Sequence, residues 1–167
     1  METIINKVAE SGILTLDLAP YVAAGEVAAF DLKPFLFREM ILKEKDYRAA
    51  LQTHDWQQYA GKHTALFCSA DAIVPVWAYM LAATYLQPVS ASVVFGTVAE
   101  VANMLTAERI NKIDVSEYAG MRVVLKGCGD TAIPEAAYVA ATQLLLPVVK
   151  SLMYGEPCST VPIYKKR

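Results

Sequence analysis

Residues 67–79 read FCSADAIVPVWAY, and the rest of the chain is organised around them. The apolar run Thr64 to Phe67 is what a strand buried on both faces would show. Cys68 falls on the turn after it. Asp71 and Pro75 then open an apolar helix, because proline is tolerated in a first turn, where its missing amide would have had no partner. About sixty residues on, residues 127–138 read GCGDTAIPEAAY. Both stretches share a cysteine, a nearby aspartate, Ala-Ile, and then Pro-x-x-Ala-Tyr. This spacing predicts a duplicated strand-turn-helix unit.

Working outward, residues 91–95 read as a further strand, and Thr97 as the cap of a helix over 98–110. Residues 121–125 read as a strand, and 133–152 as one long helix bent at Pro147. Residues 158–162 are left as a loop. Strand and helix in regular alternation imply parallel pairing. The expected class is α/β: three layers, with a mostly parallel sheet. Before His63 the pattern is mixed. Residues 1–10 could make one or two amphipathic turns. Residues 13–18 alternate as a strand. Residues 27–31 return as its hairpin partner, or Asp31 caps a short helix running through Pro34, Phe35, Leu36 and Phe37. Residues 44–52 form a helix, and Asp55 caps a turn through Trp56. The reading is a single domain over 1–167: a mixed section over 1–62, with an edge hairpin and a helix, and regular β-α repeats over 63–167.

Composition narrows the function. Hydrophobic residues make up 55% of the 167 positions and charged residues 19%. That favours a filled core over disorder. The formal net charge is -2 and no basic face is visible, which argues against nucleic acid. Lys165-Lys166-Arg167 reads as a solvated tail. Residues 1–10 show no basic start followed by an apolar run, so no signal peptide is expected. The uncharged stretch 136–149 falls short of the ~20 residues a membrane span needs. A cytoplasmic protein is expected. The high apolar content suggests self-association as a dimer.

Three cysteines do not suit a secreted disulfide framework. In a reducing compartment they are thiols, metal ligands or small buried hydrophobes. Ligands gather at the carboxyl ends of strands in open α/β sheets. Cys68 and Cys128 each lie just past a strand and just before a helix, whose N-terminal partial charge favours thiolate. Thiolates bind soft metals. If Cys158 returns to the same side, three thiolates could hold one metal, with Asp71, Asp130 or His54 as the fourth ligand. The alternatives are one activated cysteine nucleophile beside an aspartate, or a non-catalytic interaction module with structural cysteines. Under that plainer reading Asp71 and Asp130 are only helix caps, and Trp77, Tyr79, Met80 and Tyr138 are core. No dinucleotide-binding, Walker or nucleophile-elbow motif is present.

EKDYR at 44–48, HDW at 54–56, CSADAI at 68–73, WAYM at 77–80, KGC at 126–128 and SLMYGEPCSTVP at 151–162 together resemble the domain of unknown function 2480 family, found mainly in Bacteroidetes. The resemblance covers nearly the whole chain, and its most specific segment is Gly-Glu-Pro-Cys-Ser-Thr. No activity comes with it. Members tend to lie near iron–sulfur assembly genes. The resemblance therefore implies an iron–sulfur assembly partner, in line with the thiol set, for which zinc, iron or an iron–sulfur cluster is the cofactor expected.

Overall fold

A computed structural model of the chain describes residues 12–127, 129–156 and 158–167. The expected amphipathic turns over 1–10 lie outside them. The chain divides into two compact units. The inserted unit is Ala23–Ala102. The split unit combines Met1–Val22 with Asn103–Arg167. The section break expected after residue 62 falls inside the inserted unit.

In the inserted unit, strands β2 (Val27–Asp31), β3 (His63–Phe67) and β4 (Ser92–Phe95) form a parallel sheet in the order β2-β3-β4. Helix α1 (Glu44–Thr53) precedes β3, and α2 (Val76–Leu86) joins β3 to β4. In the split unit, β1 (Ile13–Leu16), β5 (Arg122–Lys126), β6 (Ser151–Glu156) and β7 (Ser159–Lys165) lie in the order β1-β5-β6-β7. Only β7 runs antiparallel, along β6. Helix α3 (Val98–Asn111) leads into this unit, and α4 (Glu135–Leu145) joins β5 to β6. The α/β class with mostly parallel strands stands.

Burial explains the strand sequences. Thr64, Ala65 and Leu66 of β3 are buried, as are Val123, Val124 and Leu125 of β5. Each is an interior strand, and the continuous apolar run is what covering on both faces requires. The buried Thr64 hydroxyl is satisfied by Ser90, 3.1 Å away. Both crossover helices bury a stripe of small residues ending in leucine. In α2 it is Ala78, Ala82 and Leu86; in α4 it is Ala137, Ala140, Ala141 and Leu145. Alanine at these positions lets a helix axis approach closely.

The duplication reaches much further than the two turns. Residues of the inserted unit from α1 to β4 have counterparts 59 positions later, without a gap. The buried Tyr47 and Leu51 of α1 match the buried Thr106 and Ile110 of α3. Sheet registers agree: Val27, His63 and Ser92 form one row, and Ile13, Arg122 and Ser151 form the other. Gly61 N–H donates to Val89 C=O at 2.8 Å, and Gly120 N–H donates to Val148 C=O at 2.8 Å. The first strands are copies as well. Each ends in Asp-Leu-x-Pro-aromatic, Asp17 to Tyr21 and Asp31 to Phe35. Each aspartate accepts from the amide two residues on, at 2.9 Å.

Four expectations are corrected. The single sheet is two sheets. β1 and β2 are not a hairpin: each runs parallel to a different partner, β1 to β5 and β2 to β3. Being copies of one element, each takes the same place beside its own central strand. The helix expected over 133–152 ends at Leu145, and Ser151–Glu156 is strand β6. Pro147, which has no amide to donate, matches Pro88, and the next strand starts four residues beyond each. Finally, the expected loop over 158–162 is a turn followed by β7. Other expectations hold. Asp55 caps the turn at Trp56, with Gln57 N–H donating to its carboxylate at 3.0 Å. Thr97 and Glu100 form a reciprocal capping box at the start of α3.

Candidate functional site

A concavity among the described residues lies in the split unit, at the carboxyl ends of β5 and β6. Its volume is about 630 Å³. Gly127, Gly129 and Thr131 of the β5–α4 connection form one side, Tyr138 of α4 and Tyr154 of β6 the wall, and Ile163 of β7 closes the edge.

The site is held open by polar anchors at the end of β5. Tyr138 Oη donates to the Lys126 carbonyl at 3.0 Å, and Tyr154 Oη donates to the Gly127 carbonyl at 3.3 Å. The two rings meet edge to face, with centroids 5.4 Å apart. Tyr154 lies so close over the backbone that a Cβ on residue 127 would sit 2.8 Å from its ring. Glycine at 127 therefore lets the wall pack. Lys126 Nζ reaches Asp17 Oδ2 at 3.2 Å. The Ala19 amide holds the Asp17 carboxyl below its usual range against the opposing effect of burial, and Lys126 adds to this.

The inserted unit has an equivalent end with different contents. Tyr79 meets Phe95 edge to face at 5.2 Å, as Tyr138 meets Tyr154. Asp31 accepts from the Ser69 amide at 2.9 Å and from the Ser69 hydroxyl. Burial pushes the Asp31 carboxyl up, but the Ser69 hydroxyl and the Lys33 and Ser69 amides outweigh it and keep it below the usual range.

The expected site residues divide between the units. Cys68, Asp71 and His54 belong to the inserted unit, and Asp130 and Cys158 to the split unit. Cys128 lies outside the described residues. Cys68 is half-buried, and its thiol is 3.9 Å from the Ala70 carbonyl. His54 sits among Phe30, Phe35, Trp56 and Tyr59, with Nε2 3.2 Å from the Tyr59 hydroxyl. Cys158 is exposed in the β6–β7 turn. Asp71 and Asp130 are exposed, and neither caps a helix: the capping positions are Pro75 and Pro134. Among the described residues no group of three His, Cys, Asp or Glu could hold a metal ion.

The 59-residue correspondence also corrects the pairing of the cysteines. Cys68 matches Gly127, and Cys128 matches Ser69. Counting from the shared Pro-x-x-Ala-Tyr rather than from the cysteines gives this alignment. Tyr154 and the Asp17–Lys126 pair were missed in the sequence. The signal available for them was the repeated Asp-Leu-x-Pro and the aromatic residue before the glycine that ends each later strand.

The fold and the crevice define a class: a duplicated α/β protein, its copies interleaved in sequence, with an open cleft at the strand carboxyl ends of the split copy. The chain belongs to the family described as protein of unknown function (DUF2480), whose model matches residues 2–166. No curated protein and no solved structure matches it. Among the described residues no helix is long and apolar enough to cross a membrane.

Proposed function

We propose that the protein binds a thiophilic metal or sulfur species, zinc, iron or an iron–sulfur cluster, at the crevice of the split unit, and that Cys128 and Cys158 supply the sulfur ligands. One observation carries this reading. Gly127 and Gly129, the sequence neighbours of Cys128, line the crevice. Lys126 pairs with Gly155 at the carboxyl end of the sheet, and the β6–β7 turn that carries Cys158 follows Gly155 at that same end. The two loops bearing these cysteines thus leave one end of one sheet. Asp130 is the accessory carboxylate of this set. Cys68, Asp71 and His54 belong to the other unit and are not required. A role beside an iron–sulfur assembly partner, in the cytoplasm and as a dimer, is the biological form of this proposal.

The test is metal and acid-labile sulfide content of protein purified without air, for wild type and for Cys128→Ser, Cys158→Ser and Cys68→Ser. The expected result is metal or sulfide near one equivalent in wild type and Cys68→Ser, and its loss in the other two. Equal near-zero content in all four overturns the proposal. A second reading is favoured by the size of the crevice, which falls within the range of small-molecule sites. Here Cys128 acts as a nucleophile on a bound electrophile. Its thiol would then react with iodoacetamide well below the ordinary ~8.5 midpoint of a free cysteine.

A further inference from the structure

At the opposite end of the split unit's sheet, Arg122, Ser151 and Lys165 occupy one row across β5, β6 and β7. Lys150 immediately precedes the row. Of the exposed terminal basic residues, Lys165 ends β7 and Lys166 extends its ladder. Beyond β7 the ladder continues, and Lys166 N–H donates to Lys150 C=O at 2.9 Å. This bond fixes the backbone on both sides of the row. A notch of about 220 Å³ opens there, with Arg122, Lys150 and Lys165 around it and Met153 and Pro162 among its lining. Neither Lys150 nor Lys165 has an ion-pair partner among the described residues.

The other copy shows that the fold does not need these charges. The counterparts of Arg122, Lys150 and Ser151 are His63, Ala91 and Ser92. There the Ser92 hydroxyl simply pairs with His63 Nδ1 at 2.7 Å. In a chain of net charge -2, three cations gathered around an apolar-lined notch mark a local departure.

We infer that this notch is a docking site for an acidic segment of a partner protein. A carboxylate is held between Arg122 and the two lysines, and its aliphatic stem or an adjacent apolar side chain rests on Met153 and Pro162. The volume lies below the range of cofactor and drug-sized sites. It suits one or two side chains rather than a nucleotide. A single lined notch also differs from the long basic groove that tracks a nucleic-acid backbone.

The probe is a fluorescein-labelled twelve-residue peptide of alternating Glu and Leu, titrated by anisotropy against the full chain. Controls are the same peptide with Gln for Glu, and a twelve-nucleotide oligo-dT. The variant Arg122→His/Lys150→Ala installs the residues that the other copy carries at these positions. Lys165→Gln is a second, independent variant. Binding of the Glu peptide should fall at least tenfold in the double variant and severalfold in Lys165→Gln, with unchanged thermal midpoints. It should also weaken as salt is raised from about 50 to 300 mM, as expected when screening shortens the reach of exposed charges. Equal binding by wild type and variants, binding of the Gln peptide as tight as that of the Glu peptide, preference for oligo-dT, or no binding by wild type would each overturn the inference.

Discussion

Tyr47 offers a test of the inserted unit's core that changes sign with pH. Its side chain is fully buried, and its hydroxyl donates to the Ala78 carbonyl of α2 at 2.8 Å. Burial, with a smaller effect from Tyr79, holds the phenol far above the ordinary tyrosine value. A raised folded-state pKa contributes stability that is complete below the unfolded value near ~10 and is lost as pH rises above it. At pH 8, Tyr47→Phe removes one buried hydrogen bond and should cost about 1 kcal/mol. At pH 11 the unfolded wild type has released the Tyr47 proton while the folded form keeps it, which removes about 1.4 kcal/mol of wild-type stability. The phenylalanine variant has no proton to release at this position. The wild type's advantage should therefore shrink from about 1 kcal/mol to nothing, or reverse slightly, between the two pH values. Guanidinium unfolding followed by tryptophan fluorescence at pH 8 and pH 11 reads the difference directly. Other tyrosines, including Tyr118, pushed up to about 12 by burial and then by Glu117, titrate in both proteins and cancel. A difference that stays at its pH 8 value would refute the assignment of Tyr47 as a buried, neutral donor.

Two further outcomes follow from the same geometry. Gly155 has φ +121°, and a Cβ there would lie 2.5 Å from the Ser159 carbonyl oxygen. Gly155→Ala should destabilise by about 1–3 kcal/mol and speed hydrogen exchange in β7 specifically; a neutral effect would mean the hairpin is packed differently. Leu86→Ala and Leu145→Ala remove fully buried counterpart side chains, and each should cost about 2–5 kcal/mol in denaturant unfolding. A negligible cost for either would contradict its place in the core.

The sequence carried the local grammar of this fold and little of its long-range pairing. Thr64–Phe67, Thr97 with Glu100, and Asp55 each declared their structure, because a strand's apolar run and a cap's side-chain hydrogen bond are short-range effects. The partners of β1 and β2 were illegible for the opposite reason. Two strands so close in sequence suggest a hairpin, and only tertiary packing sends each to its own sheet. The extension of α4 through Pro147 failed because apolar character continues into β6, and hydrophobicity does not separate a buried helix from a buried strand. For the site, the glycines at 127 and 129 line the crevice, while the single crevice expected for both turns is divided between two units. The cysteines drew attention one residue out of register, and Tyr138, read as core, packs against the core and also walls the crevice.

The interleaving of the two copies sets a problem during synthesis. β1 precedes its partner β5 by roughly a hundred residues. At ribosomal rates of about 5–20 residues per second, it waits on the order of 5–20 s for that partner. Meanwhile β3 emerges, ready to accept either first strand, since β1 and β2 are versions of the same segment. Side-chain shape resolves the choice. Phe30 of β2 stacks on Phe35 and on Trp56, each with ring centroids 5.4 Å apart, whereas β1 carries Leu16 at that position, in a core where leucine, valine and alanine mix with Tyr118. The phenylalanine of one first strand and the leucine of the other are the difference by which each would find its own sheet.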